Sequence, residues 1–316
     1  MKISGLGDQL YVDAYDLSGD IGAVQSLNKS LAEGVVTGLD KSAIERILLL
    51  ADGEIGFANY YDPVSPGLHA ILSDLPDADA LVSYFRGQAL GAMTASLLGK
   101  QINYGLARGA DGSLIGANIA AKGSGYGLEY GNAGTAGKRT DTGATTGAGA
   151  DCDGQDVAVA ITSSSVANPT HIITPVAHRL VTGDWIVIAG HSGSTPDINK
   201  AYAITWVSAT EFTIAVNVTV GGTGGTLTKT STALGCSAYL HVFSFTGTSM
   251  TAKLQHSADD AATDAYTDIT GGAFAAFTGI GAQRIQTGVL VVKRWIRVVT
   301  TGTFNPCTFA VAVARQ

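Results

Sequence analysis

From Ser237 to the end of the chain, large apolar side chains fall on alternate positions, and only an extended strand puts every second residue on one face. In Ser237 to Phe245, Tyr239, His241, Phe243 and Phe245 oppose Leu240, Val242 and Ser244. Met250, Ala252 and Leu254 then face away from Thr251, Lys253 and Gln255. Val289 to Val299 sets Leu290, Val292, Ile296 and Val298, interrupted by Arg294, against Lys293, Trp295 and Arg297. Cys307, Phe309, Val311 and Val313 form the last apolar face, and near the middle Leu81, Ser83 and Phe85 oppose Val82 and Tyr84. Turn signals fall between these runs at Gly247, Asp259-Asp260, Gly271-Gly272, Gly279 and Thr301-Gly302. Many short strands at that spacing predict a mainly β chain, a sandwich or barrel.

Helical signal is thin. Ser65 as N-cap and Pro66 at the first helical position predict a short helix through Leu72, with Pro76 closing it. Between Asp40 and Asp52-Gly53, Ile44, Ile47 and Leu48 recur at i, i+3 and i+4, which predicts a short helix or an ordered loop over 41–50. Residues 131–156 lack periodicity and read as a long loop. A block of roughly 70 residues, 159–230, reads as a small β module inserted in the main domain. Three or four strands are expected there around Trp185, Ile188, Ile204, Trp206 and Phe212, closed by the turn at Gly221 to Gly225. The main domain is then discontinuous, 1–158 and 231–316.

Composition narrows the function. Glycine supplies 41 of 316 residues and charged residues only 14%, against about 25% charged in ordinary domains. A formal charge of -7, with no basic cluster longer than Lys293-Arg294 and Arg297, excludes a nucleic-acid binder that works by phosphate neutralisation. No apolar run reaches the roughly 18 residues of a membrane span and Met1 to Gly5 opens no signal peptide, so a soluble chain without membrane insertion is expected. Cys152, Cys236 and Cys307 are too widely spaced for a metal motif and read as buried free thiols.

No motif carries catalysis. Gly190-His191-Ser192-Gly193-Ser194 lacks the final glycine of a nucleophile elbow and reads as a hairpin turn. Gly123-Ser124-Gly125-Tyr126-Gly127 lacks the spacing of a dinucleotide loop and reads as a strand thinned where another backbone approaches. His69, His171, His178, His191, His241 and His256 show no ligand spacing, although His178 and His191 could meet inside the module. Asp259-Asp260, Asp264 and Asp268 read as a solvated turn before a calcium site. Neither enzyme activity, nor metal, nor cofactor is expected.

The C-terminal runs Ala238 to Phe243, Phe245-Thr246-Gly247-Thr248, Leu254 to Asp259, Gly271 to Phe274, Ala282 to Ile285, Arg294 to Val298, Thr303-Phe304 and Thr308 to Val311 resemble the tail tube (major tail) proteins of long-tailed, siphovirus-type bacteriophages. Lys41 to Arg46, Asp52 to Phe57, Tyr84 to Gly87 and Lys100 to Tyr104 extend the resemblance, which spans most of 8–140 and 234–316. Residues 159–230 have no equivalent in that family. They resemble small β modules of various virion proteins through His178, Leu180, Thr182-Gly183-Asp184, Ile188, Gly190, Asn199, Tyr202 and Phe212.

The resemblance implies a β-sandwich with one flanking helix, six copies of which form a ring whose sheets join, with rings stacking into the hollow tube that conducts DNA during genome ejection. It implies a virion tail location after synthesis in the bacterial cytoplasm. The implied partners are sister copies, the tape measure, tail terminator and tail-tip proteins, and DNA that passes without specific binding. Gly34 to Asp62, with Lys41, Ile44, Glu45, Arg46, Ile47 and Asp52, is the expected ring-stacking segment; Lys293, Trp295 and Arg297 mark the expected ring or lumen strand. The module is expected to project outward. Two other readings stand beside this one: a capsid decoration or tail-tip protein, and a carbohydrate-binding module with Trp185, Trp206 and Trp295 as stacking platforms.

Overall fold

The computed structural model describes residues 6–38, 40–62, 68–73, 78–108, 115–152, 159–178, 180, 182–230, 233–258, 260–261 and 264–316. The fold is mainly β, with one short helix, Leu68–Leu72, among the described residues. Its expected cap, Ser65-Pro66-Gly67, and the closing Pro76 lie outside the described residues, as do Met1 to Gly5 and Asp259.

Two long strands form the spine. Cys236–Ser257 and Trp295–Arg315 pair antiparallel over their whole length, from Cys236 opposite Arg315 to Ser257 opposite Trp295. Gly247 and Thr301-Gly302 are therefore not turns. The ladder shifts register on both sides of Gly247, and the strands run on. Gly247 and Gly302 take positive φ values of 145° and 124°, and a Cβ on Gly302 would stand 2.3 Å from the Ser249 carbonyl oxygen. Glycine is what lets each strand bend there without a break. Gly271-Gly272 likewise lies inside a strand, Thr267–Ala273.

The expected alternation of the spine is real. Leu240, Val242, Met250, Ala252, Leu254, Ile296, Val298, Phe309, Val311 and Val313 fill one core. Tyr239, Ala310 and Ala312 point the other way and join Tyr11, Leu81 and Phe85 in a second. That second core exists because the sheet curls. Its order runs from Tyr15–Asp16 through Gln9–Val12, Ala80–Phe85, Met93–Gln101 and Glu129–Ala133 to the two spine strands. Curling brings Tyr11 of an outer strand within 4.7 Å of Phe243, centroid to centroid. Val82 and Tyr84, on the other face of their strand, pack in a third core with Leu10, Ile55, Phe57, Leu97 and Ile119.

The stretch expected as a loop, 131–156, is instead stitched along the open side of Trp295–Arg315 as far as it is described. Arg139 sits opposite Phe309, Thr145 opposite Thr300 and Ala150 opposite Ile296. Polar ties replace hydrophobic alternation: Arg139 grips Asp141 at 2.8 and 2.6 Å and donates to the Val298 carbonyl at 3.0 Å. Each contact is only two or three residues long, too short for periodicity to register.

Residues 159–230 form a separate seven-stranded sheet around their own core of Ile172, Ile186, Ile188, Ile204, Phe212, Ile214 and Leu227. Val159–Ala160 and Ser163–Ser164, its two outermost strands, are consecutive in sequence. Ile161 donates to Gly225 on one side and Thr162 to Ile173 on the other, at 2.9 and 2.7 Å, so the sheet curls into a small barrel. It holds seven strands rather than three or four. Ile188, Ile204 and Phe212 are core as expected, but Trp185 and Trp206 are not: they are 40% and 50% exposed.

Candidate assembly interface

The segment from Ile21 to Tyr60 is one long β-hairpin. Ile21–Val35 and Arg46–Tyr60 pair from Ile21 opposite Asn59 to Val35 opposite Arg46. Its base belongs to the body: Glu54 to Tyr60 also pair with Gly116–Gly123, and Ile55 and Phe57 are buried. Beyond Gly53 the hairpin leaves that sheet, and among the described residues 46–52 pair only with 30–35. A Cβ on Gly53 would lie 2.1 Å from the Leu128 backbone nitrogen, so glycine is required where the arm departs. At about 3.3 Å per residue the free part extends roughly 20 Å before its connecting loop.

Lys41 to Leu50, expected as a short helix or loop, is therefore the arm's tip and returning strand. The Ile44, Ile47, Leu48 spacing misled because Ile47-Leu48-Leu49-Leu50 is apolar on both faces of a strand, which erases the period of two. Ile47 and Leu49 lie over Gly34, and Leu48 and Leu50 occupy the alternate positions. Leu48 is 70% and Leu50 84% exposed; Leu31, Val35, Val36 and Ile44 are exposed as well. Two ion pairs engage charged groups of the arm, Arg46 with Glu33 at 3.0 Å and Lys41 with Glu45 at 3.4 Å. Asp52 accepts the Gly53 N–H at 2.7 Å. Thr37 Oγ1 accepts the Glu45 N–H at 3.0 Å and orders the tip. A contiguous apolar surface of this kind on an ordered element marks an interaction site.

The arm's outer strand, Ile21–Val35, pairs on one side only among the described residues, leaving a 15-residue edge. An edge of that length is a template for another chain. Where it meets the body, an open hollow of about 310 Å³ is bordered by Asp8, Ser18, Gly22, Val24 and Tyr84. The Tyr84 hydroxyl donates to Asp8, and burial together with that carboxylate pushes its phenol up to about 12.

Of the other expected site residues, Trp295 and Arg297 open the strand Trp295–Arg315. Lys293 lies in the connection before Trp295–Arg315 and holds Asp264 at 2.8 Å through Nζ. Arg297 donates to Gln255 at 2.9 Å and lies 4.1 Å over the Tyr266 ring. Trp295 is half-buried beside Arg294. Each of the three is engaged by a neighbour within the chain.

His178 and His191 do not meet, and each is satisfied by its own partners. His178 donates from Nε2 to the Ser208 carbonyl at 2.9 Å and accepts the Leu180 N–H at Nδ1, whereas His191 bonds Ser164 and the Gly224 carbonyl. Asp264 and Asp268 are held by Lys293 and Lys253. No group of three or more potential ligands among the described residues is arranged to hold a metal ion. No helix among them is long and apolar enough to cross a membrane. Trp185 and Trp206 are exposed, but strand alternation sets them on opposite faces. Trp185 faces outward beside Ala203, while Trp206 shares the side of Ile204, which is core. They make no common platform.

The chain matches no protein-family profile, and no curated protein matches it. Among solved structures it is similar to the Dit (gp 19.1) protein of SPP1, described as a paradigm of the hub adsorption apparatus in phages infecting Gram-positive bacteria. The identity is 11% and the TM-score 0.26, over 96% of this chain and 98% of that one. A superposition of that quality carries no argument about what this chain does.

Proposed function

We propose that this chain is a structural subunit of a phage tail, and that its copies close into rings, six to a ring, which stack into the tail tube. The observation that carries the reading is the arm: an ordered hairpin, apolar on both faces, that projects beyond the sheet it springs from. Such a surface needs a partner, and a head-to-tail contact with the next copy supplies one without any self-complementary patch. The free Ile21–Val35 edge is available for pairing within or between rings, which would remove the aggregation hazard of an open border. The residue runs resembling tail tube proteins support the same reading. With a net charge of -7 per subunit, acids reaching a lumen would repel DNA within the roughly 8 Å Debye length, so the duplex passes without binding. The 159–230 barrel projects outward in this arrangement, because an insertion facing the lumen would obstruct it. Tape measure, terminator and tail-tip proteins would complete the tail.

Negative-stain microscopy of the purified, concentrated chain tests this. Long hollow tubes are expected, and a chain lacking 41–50 is expected to stay folded and form none. Trimers or discrete rings from the intact chain would favour a decoration or tail-tip protein instead. Removing 160–230 is expected to spare the tubes; their loss would place the barrel in the ring contact.

A further inference from the structure

Among the described residues, the buried guanidinium of Arg294 bridges the body and the inserted barrel, and this holds whether or not the chain builds tubes. Ahead of the insertion, Asp151 sits opposite Trp295 in the main sheet, and the Cys152 N–H donates to the Arg294 carbonyl at 3.2 Å. The barrel's final strand is Thr226–Thr230. After it, Ala233–Leu234 pairs with Val291–Val292, just ahead of Arg294. Entry, exit and return thus converge on one residue.

The Arg294 side chain engages both sides of the junction. Nε and Nη2 grip the Asp151 carboxylate at 2.8 and 2.6 Å, while Nη1 reaches out of the body to the Lys229 carbonyl of the barrel's last strand at 3.2 Å. The guanidinium packs against Trp295, and its side chain is only 10% exposed. On the barrel side, Lys229 Nζ pairs with Asp184 at 3.0 Å, which holds that strand to its own neighbour. A planar fork is the one side chain able to hold a carboxylate through two parallel bonds and still present a donor to a third group. We propose that Arg294 is a latch that fixes the orientation of the inserted barrel against the main sheet, joining Ala150–Asp151, the main-sheet strand ahead of the insertion, to the barrel's last strand.

Spin-label distance measurements test it. The native cysteines are all buried, so nitroxides can be placed at S192C in the barrel and T303C in the body, both exposed, with labelled chain diluted into unlabelled chain. The parent is expected to give one narrow distance distribution. In R294Q the width should at least double with both cores intact; R294K, which keeps the charge but not the fork, should fall between. An equally narrow distribution in R294Q, or a broad one in the parent, overturns the latch. D151N, which weakens the same grip from the other side, is the second variant. If both R294Q and D151N abolish cooperative unfolding of the body, the pair holds the main sheet together and the latch is likewise overturned.

Discussion

Arg284 closes on Glu129 from 155 residues away, its Nη2 standing 3.0 Å from both carboxylate oxygens and its Nε 3.2 Å from one. Ser237 and Gln316 donate to the same carboxylate at 3.0 and 2.7 Å, Tyr239 donates its hydroxyl, and Tyr126 stacks 3.7 Å from the guanidinium. Burial, then the adjacent Glu129, holds the Tyr239 phenol far above its ordinary range. The pair is deeply placed, with side-chain exposures of 4% and 14%.

Removing one partner of such a pair strands the other charge. Arg284→Met should cost about 3–5 kcal/mol, whereas the double variant Arg284→Met with Glu129→Gln should recover much of that loss. Urea unfolding of the single and double variants measures both. Additive losses would mean that the two groups do not act as a pair.

His241 gives the fold a specific acid sensitivity. It is fully buried between Tyr11 and Phe243, accepts the Ala14 N–H at Nδ1 (3.2 Å) and meets Ser83 through Nε2 (3.0 Å). Desolvation lowers its pKa from 6.5 to about 3. The unfolded chain therefore takes up a proton that the native chain refuses, so stability is complete above about pH 6.5 and falls as the pH drops toward 3. The slope from this one group approaches about 1.4 kcal/mol per pH unit. His241→Asn, whose amide oxygen can replace Nδ1 as acceptor, should flatten the profile of unfolding midpoints between pH 6.5 and 4.5. An unchanged difference between the two proteins across that range would count against the assignment.

How much of this was legible beforehand depended on whether a segment had one wet face. Leu240, Val242, Phe309 and Val311 alternate because one side of the spine is core, and their strands could be read directly. The seam at Arg139, Thr145 and Ala150 could not, since its pairing is set by isolated polar ties. Gly247 and Gly302 looked like turns because glycine serves bends inside strands as well as chain reversals. The arm is illegible for the opposite reason: with Leu48, Leu49 and Leu50 consecutive, neither period fits. Trp185 and Trp206 were misplaced because size alone suggested core. The Arg284–Glu129 and Arg294–Asp151 grips join residues more than 140 apart and leave no local signature.

Gly131 marks a close approach between two strands. A Cβ there would stand 2.2 Å from the Val313 carbonyl oxygen, backbone that cannot swing aside. Gly131→Ala should cost about 1–3 kcal/mol or more through forced backbone shifts. Gly143→Ala, with open space around the corresponding Cβ position, should change stability by under about 0.5 kcal/mol. Thermal unfolding of the pair separates close approach from any general intolerance of glycine replacement.

The arm offers the sharpest separation of stability from assembly. Leu48 is 70% exposed and pairs with Glu33 across the hairpin, so within one chain it contributes little burial. Leu48→Lys should therefore shift the unfolding midpoint of the isolated chain by no more than about 0.5 kcal/mol. If the same residue is covered by a neighbouring copy, the substitution puts a charged ammonium into an apolar contact and polymerisation should fail. Phe57→Ala on the same strand reverses the expectation, because Phe57 is buried in the body; it should cost about 3–5 kcal/mol. Sedimentation velocity beside urea unfolding reads both axes at once. A Leu48→Lys chain that polymerises like the parent would remove the arm from the assembly contact, whatever the larger structure proves to be.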